Sequence, residues 1–207
     1  MENNEFENII PEQTKGAKTD TSTSVELDTH EEALNQYCLI KNKLLNISHW
    51  HTYSGTGTAD FHLTDSEGNA VHRLAEKGDH FRINIPGPGS KTGDGFDWVQ
   101  IQEIKEKTHP EGEQIAIIVK PATNPNNANP DTAHFFKEDA SSTFIVRTVG
   151  KTVFAEVHGR NEQPNTDAES LIDKARNIAV AAGAMLGFSK VQWKSLVDGL
   201  VNPEIAL

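Results

Sequence analysis

The sequence contains very little cysteine: Cys38 is the only one among 207 residues, so no disulfide can form within one chain. A single thiol is typical of proteins from a reducing compartment. The first residues, MENNEFE, show neither the basic start nor the apolar run of a secretory signal. Together these features predict a cytoplasmic protein.

Long hydrophobic runs are also lacking, because no stretch without a charged residue reaches the ~20 residues that cross a bilayer. We therefore predict no membrane span. Basic residues are scarce as well. Nineteen Lys and Arg against 30 Asp and Glu give a net charge of −11, which would repel a phosphate backbone. We predict no nucleic-acid partner.

The chain divides into a polar start and one folded unit. Residues 1–22 are mostly Asn, Glu, Thr, Ser, Gln and Lys, which predicts a disordered acidic tail. Residues 23–207 are predicted to form a single α+β domain. Its first helix should cover 30–46, because Thr29 and Glu32 form a capping box before an inward apolar stripe that includes Cys38.

From Gly57 to Arg160 the apolar residues alternate, which predicts an antiparallel meander of about seven strands, one of them at 70–75. The clearest hairpin joins 143–149 to 152–158 through Gly150-Lys151, a turn that places Thr143 opposite His158. The core face then carries Phe144, Val146, Val153, Ala155 and Val157. The other face carries Arg147, Phe154, Glu156 and His158, with Arg147 diagonal to Glu156.

Two further segments complete the outline. Residues 121–141 are polar and contain three prolines, which predicts a long surface loop. The C-terminal segment should begin a helix at a capping box formed by Thr166 and Glu169. A break is expected at 187–189, where Gly187 resembles a helix end and Ser189 with Gln192 a new start. The sheet is predicted to pack on this C-terminal helical segment.

Motifs for metal or nucleophilic chemistry are weak. His49 and His51 would point the same way on an extended strand, but a third ligand is missing. We therefore assign no metal and no cofactor. Whether this pair alone binds a metal ion stays open. Cys38 lies on the predicted apolar stripe, where a buried hydrophobic role is favoured over a reactive thiol. No serine lies in a Gly-x-Ser-x-Gly motif, and no catalytic residue is assigned.

Two groups of residues are candidates for binding a ligand. Arg147, Glu156 and His158 would lie close together on the last strands, either as a polar site or as solvated ion pairs. Trp50 and Trp98 belong to an aromatic-rich stretch that would either line a pocket or fill the core. These five residues form the predicted ligand-binding set.

The order of the elements resembles that of the helix-grip superfamily of START and polyketide-cyclase-like domains. It runs from a strand near Ser24–Leu27 through a helical segment ending near Trp50 and a meander to a long C-terminal helical segment. The resemblance implies a curved sheet wrapped on the last helix, with an apolar cavity between them for lipids, sterols or aromatic metabolites.

The leading hypothesis is therefore a protein that binds a small apolar or amphipathic ligand between sheet and helix without transforming it. One alternative is a cyclase- or hydrolase-like enzyme that uses Arg147, Glu156 and His158 in the same cavity. The other is an interaction module, with an SH3-like barrel over 57–120 and exposed tryptophans. The ligand and the oligomeric state stay open.

Overall fold

The fold is a single antiparallel sheet packed on helices. The computed structural model describes residues 9–85, 90, 92–110, 112–165 and 173–204, with 173–186 described by their backbone alone. The strands are β1 (Ala17–Glu26), β2 (Asp60–Thr64), β3 (His80–Asn84), β4 (Asp97–His109), β5 (Gly112–Pro121), β6 (Ser141–Val149) and β7 (Thr152–Glu162). The helices are α1 (His30–Leu45), α2 (Trp50–Ser54) and α3 (Asp173–Val201), and a 3-10 turn at Ile47–His49 precedes α2. The α+β class with an antiparallel sheet of seven strands is confirmed, although only β2 to β7 follow one another as a meander.

The sheet order is β1-β7-β6-β5-β4-β3-β2, so the first strand in the sequence forms one edge of the sheet and pairs with the last strand. Helix α3 packs against β1 and β7, and α1 packs against β6 and β7 on the same core. A sheet packed on the C-terminal helix is the arrangement that the resemblance implied. The strand expected at 70–75 is wrong. Within 70–75 only Ala70 makes a bridge, to Thr64, because the chain leaves the sheet after the turn at Gly68.

The β6–β7 hairpin has the predicted register. Thr143 lies opposite His158. The backbone φ of Gly150 is 59°, a value that residues other than glycine rarely adopt. The five residues assigned to the core face are all buried in the main apolar cluster. The turn chemistry and the period of two therefore predicted both faces correctly.

Helix α1 begins at the predicted capping box: the Glu32 N–H donates to the Thr29 Oγ1 at 3.1 Å, and the Glu32 Oε2 accepts from the Thr29 N–H at 3.1 Å. The burial of Cys38, however, was predicted wrongly, since Cys38 is exposed. The buried stripe is centred on Ala33, Tyr37 and Ile40, and one residue further along a helix turns a side chain by about 100° away from that stripe.

The disordered tail is wrong for 17–22, which belong to β1. Their polarity misled the prediction because β1 is an edge strand whose side chains are largely exposed, while its backbone is hydrogen-bonded to β7. Before it, Ile9 is buried against Ala116 and Ile145 on the outer face of the sheet, the face opposite the main core.

Helix α3 is continuous through 187–189, so the predicted break is wrong. A straight helix keeps Phe188, Gln192 and Trp193 on the same side as Leu196 and Leu200, all toward the core. Packing of this stripe outweighs the cost of about 1 kcal/mol for Gly187 inside a helix. The start predicted at Thr166–Glu169 lies outside the described residues.

Candidate functional site

An apolar cavity lies between α3 and the core face of the sheet. Its volume is about 40 Å³, enough for a few water molecules at most. The walls come from β2 to β6, from α3 and from the connection between β5 and β6. The lining side chains are Ala59, Phe61, Phe81, Ile83, Ile85, Val99, Val119, His134, Phe135, Phe136, Ser142, Phe144, Phe188, Ser189, Gln192 and Trp193.

Aromatic rings pack around this cavity in a continuous cluster. Trp193 of α3 meets Phe144 edge-on at 5.0 Å between ring centroids and Phe61 at 6.1 Å. Behind them, Trp50 packs on Phe61, Phe81 and Phe144 at 4.8–5.7 Å. Trp193 and Phe188 are only half-buried, so α3 covers the cavity with rings that solvent still reaches.

His134 is the most constrained polar group of the wall. Its Nδ1 accepts the N–H of Phe136 at 2.9 Å, so the neutral ring carries its proton on Nε2. Burial lowers the pKa of His134 to about 3. The ring is therefore uncharged at neutral pH. Among the described residues nothing accepts the Nε2 proton, so His134 is one of the lining residues that can donate to a ligand.

Gln192 ties α3 to the sheet at the same wall. Its Oε1 accepts the N–H of Ala59 at 2.7 Å, at the residue just before β2. The sequence analysis assigned Gln192 to a capping box with Ser189, but in the continuous helix it binds the sheet instead. Ser142 and Ser189 contribute the remaining hydroxyl groups of the lining.

A buried carboxyl group lies on the same face of the sheet. Asp97 is opposite Ile83 and two residues before Val99, both of which line the cavity. Asp97 accepts a hydrogen bond from the backbone of Phe135, and its Oδ2 is buried without a described partner. Burial raises the pKa of Asp97 to about 7.

The segment 133–136 holds this wall in place, although 121–141 was predicted to be a surface loop. Ala133, His134 and Phe136 are buried, and the backbone N–H of Trp98 donates to the Ala133 carbonyl at 2.7 Å. The apolar residues within an otherwise polar loop were the available signal. The polar and proline-rich composition around them outweighed that signal.

None of the five predicted ligand-binding residues lines the cavity. Trp50 is fully buried behind its wall, with its Nε1 donating to the Leu44 carbonyl at 3.0 Å. Trp98 alternates with Val99 and so points to the outer face, where it is also buried. Burial of both tryptophans excludes the interaction module, as does the membership of β2 to β5 in a single sheet.

Arg147, Glu156 and His158 do come together, but on the outer face. Arg147 Nη2 lies 2.7 Å from Glu156 Oε1, and His158 Nε2 lies 2.9 Å from Glu156 Oε2. The other ring nitrogen of His158 reaches Asp20 of β1 at 2.7 Å, and Asp20 also pairs with Arg160. Their register turns these side chains away from α3, so the enzyme hypothesis built on them in the cavity is wrong.

The contacts among these charged side chains shift the pKa values of His158 and Glu156. Burial lowers the pKa of His158, but its hydrogen bonds to Glu156 and Asp20 outweigh burial and leave that pKa raised. Burial raises the pKa of Glu156, and hydrogen bonds with His158 and the charge of Arg147 outweigh it, leaving that pKa lowered. Through contacts at both ring nitrogens, His158 joins β7 to the edge strand β1.

His49 and His51 do not share a strand face. The chain is helical here, so residues two apart point in nearly opposite directions. His49 Nδ1 contacts Asn46 Oδ1 at 2.8 Å, and His51 contacts Thr52. Over the part of the chain that is described, no group of three His, Cys, Asp or Glu side chains is placed to hold a metal ion.

Comparison with known proteins gives structural likenesses alone. No protein-family model and no curated protein matches the chain. A major latex-like protein of Panax ginseng has 11% identity over 83% of this chain and 96% of its own, with a TM-score of 0.35. A truncated norcoclaurine synthase from Thalictrum flavum has 7% identity over 90% and 96%, with a TM-score of 0.37. An Arthrobacter aurescens protein has 11% over 91% and 89%, with a TM-score of 0.39.

Likenesses this distant concern architecture at most and say nothing of chemistry. Within the described residues, no helix has both the length and the apolar character that a membrane span requires.

Proposed function

We propose that the protein binds a small, mainly apolar molecule in the cavity beneath α3. The observation that carries this proposal is the lining: aromatic and aliphatic side chains surround a few neutral polar groups, among them the Nε2–H of His134. Apolar walls with a few placed polar groups are characteristic of small-molecule sites. The matching ligand is an aromatic or aliphatic molecule that offers one acceptor oxygen to His134.

The cavity has to widen for any ligand larger than a few atoms, because its volume is only about 40 Å³. The movable parts of the wall are the half-buried rings of Phe188 and Trp193 on α3. Gln192 limits this movement, since it links α3 to Ala59. We expect a ligand to displace the two rings outward while the sheet side of the cavity stays fixed.

The proposal includes binding without a reaction, in a cytoplasmic protein. The absence of Arg147, Glu156 and His158 from the cavity removes the residues on which the enzyme hypothesis depended. The single exposed thiol of Cys38 supports a reducing compartment.

Two matched probes test the proposal: benzene, which has no acceptor, and acetophenone, which adds a carbonyl oxygen. We expect both to raise the melting temperature and to perturb the indole N–H signal of Trp193 in a saturable way. In His134→Phe, acetophenone should bind roughly three- to tenfold more weakly while benzene binding stays the same, because a single neutral hydrogen bond is lost.

Filling the cavity provides the second comparison. Ser142→Leu places a larger apolar side chain in the lining, so it should weaken both probes together. If the probes bind equally well to Ser142→Leu, they occupy another site and the proposal is wrong. It is also wrong if neither probe gives a saturable change in the wild-type protein.

A further inference from the structure

A second, larger hollow lies outside the sheet–helix interface. Its volume is about 470 Å³, and it opens between β2, the 3-10 turn before α2 and the turn that follows β2. We call it the histidine groove, defined by Ser48, His49, His62, His72 and Arg82. Its remaining lining residues are Leu63, Thr64, Gly68, Ala70 and Val71, so no acidic side chain lies among those described in its wall.

Arg82 is the unusual member of this groove. Arg73, Arg147 and Arg160 each pair with a carboxylate, at 2.6–2.7 Å. Arg82 pairs with none in the part of the chain that the structure describes, although the protein carries a net charge of −11. Its guanidinium lies 4.6 Å from the centre of the Phe96 ring, and its Nε is buried without an acceptor.

The charge of Arg82 also reaches its neighbour across the strands. His62 lies directly opposite Arg82 in the β2–β3 pair, on the same outer face. Burial lowers the pKa of His62, and the charge of Arg82 lowers it further, whereas Asp60 opposes the change. At His62 the positive charge of Arg82 therefore outweighs the negative charge of Asp60.

We propose that the histidine groove binds an oxyanion, a phosphate or carboxylate group, with Arg82 as its anchor. A guanidinium presents several N–H donors in a plane that matches the oxygens of such groups. The contact of the guanidinium with the Phe96 ring, 4.6 Å from its centre, favours this position of the Arg82 side chain. His62 and the hydroxyl of Ser48, which accepts the N–H of Leu63 at 3.1 Å, supply further donors at the wall.

The groove is separate from the cavity beneath α3, because the two share no lining residue. Its ligand can be bound whether or not the cavity takes an apolar molecule. The two proposals are therefore tested independently.

The test is a titration of the histidine ring signals with inorganic phosphate and, separately, with acetate, at constant neutral pH and ionic strength. We expect phosphate to shift the signals of His49, His62 and His72 in a saturable way, while His30, outside the groove, does not change. Acetate distinguishes the two sources: saturation by acetate extends the site to carboxylates, and saturation by phosphate alone restricts it to phosphate.

Variants locate the binding. Arg82→Gln should weaken binding about tenfold or more, because a charge-assisted hydrogen bond is lost. Arg82→Lys, which keeps the charge but not the planar donors, should give an intermediate loss. Lys151→Gln is the matched control, since it removes one positive charge at the exposed β6–β7 turn and should leave binding unchanged.

The proposal is overturned if the histidine shifts are not saturable for either anion. It is also overturned if Arg82→Gln, shown to be folded by its circular dichroism and melting curve, binds as tightly as the wild type. If Arg82→Gln does not fold, His62→Gln and Arg82→Lys are used in its place. The proposal is then overturned if both of these variants bind the anion as tightly as the wild type.

Discussion

The charged ring of His158 should make the stability of the protein depend on pH in a defined direction. Both ring nitrogens contact carboxylates, Asp20 at 2.7 Å and Glu156 at 2.9 Å, so only the doubly protonated ring can donate to both. Its pKa is raised in the folded state. The stabilisation is therefore complete below the unfolded pKa of about 6.5 and is lost as the pH rises through the folded pKa.

His158→Gln removes the titrating group but keeps a polar side chain. Neither carboxylate is left alone in this variant, because Glu156 still pairs with Arg147 and Asp20 with Arg160. The cost should therefore stay near that of a hydrogen bond to a charged group, about 1.5–3 kcal/mol at about pH 6. With a urea slope of about 2 kcal/mol/M, the urea midpoint falls by about 0.75–1.5 M.

Urea unfolding at about pH 6 and about pH 9 measures this effect. The difference between wild type and His158→Gln should be largest at the lower pH and should shrink at the higher one. His51→Gln, a change at an exposed histidine, is the control and should show no such trend. A difference that stays constant, or that grows with pH, would refute the reasoning about the charged ring.

Three other outcomes follow from single positions. Asp97→Asn should stabilise the protein more at about pH 8 than at about pH 5 in urea unfolding. Because the pKa of Asp97 is raised to about 7 in the folded protein, its ionisation destabilises the folded state at a pH above the pKa of the unfolded chain. Equal effects at both pH values would contradict this. Gly199→Ala should destabilise by about 1–3 kcal/mol or more, since a Cβ would meet the Tyr53 carbonyl, whereas Gly187→Ala, with open space around it, should not. Cys38 should react with a thiol reagent in the folded protein, and reaction only after unfolding would contradict its exposure.

Much of the sheet could be predicted because local rules coincide with the final packing. In the β6–β7 hairpin, Gly150 determines the turn, the turn determines the register, and the period of two then determines both faces. The same applies to the start of α1, where Thr29 and Glu32 satisfy each other without help from the rest of the chain.

The errors arose where distant contacts outweigh local signals. Gly187 has the form of a helix end, but the packing of Phe188 and Trp193 on the sheet keeps α3 continuous. The polar start of β1 was taken for a tail, because its partner β7 lies about 140 residues further along the chain.

The candidate site was harder to predict than the fold. Arg147, Glu156 and His158 were correctly placed together, but a face of the sheet can be assigned to cavity or solvent only when the position of α3 is known. His134 gave no pattern of its own. Its role depends on the Phe136 N–H and on burial beside the cavity, neither of which is a property of its neighbours in sequence.

The neighbouring positions of β1 and β7 in the sheet have a consequence for biosynthesis. Because β1 pairs only with β7 among the described strands, it has no partner until β7, at Thr152–Glu162 of the 207 residues, has left the ribosome. Closing so long a loop is entropically costly, so this pairing should come late in folding. Until then β1 stays unpaired. Because β1 is rich in threonine and serine, its low hydrophobicity protects the nascent chain from aggregation.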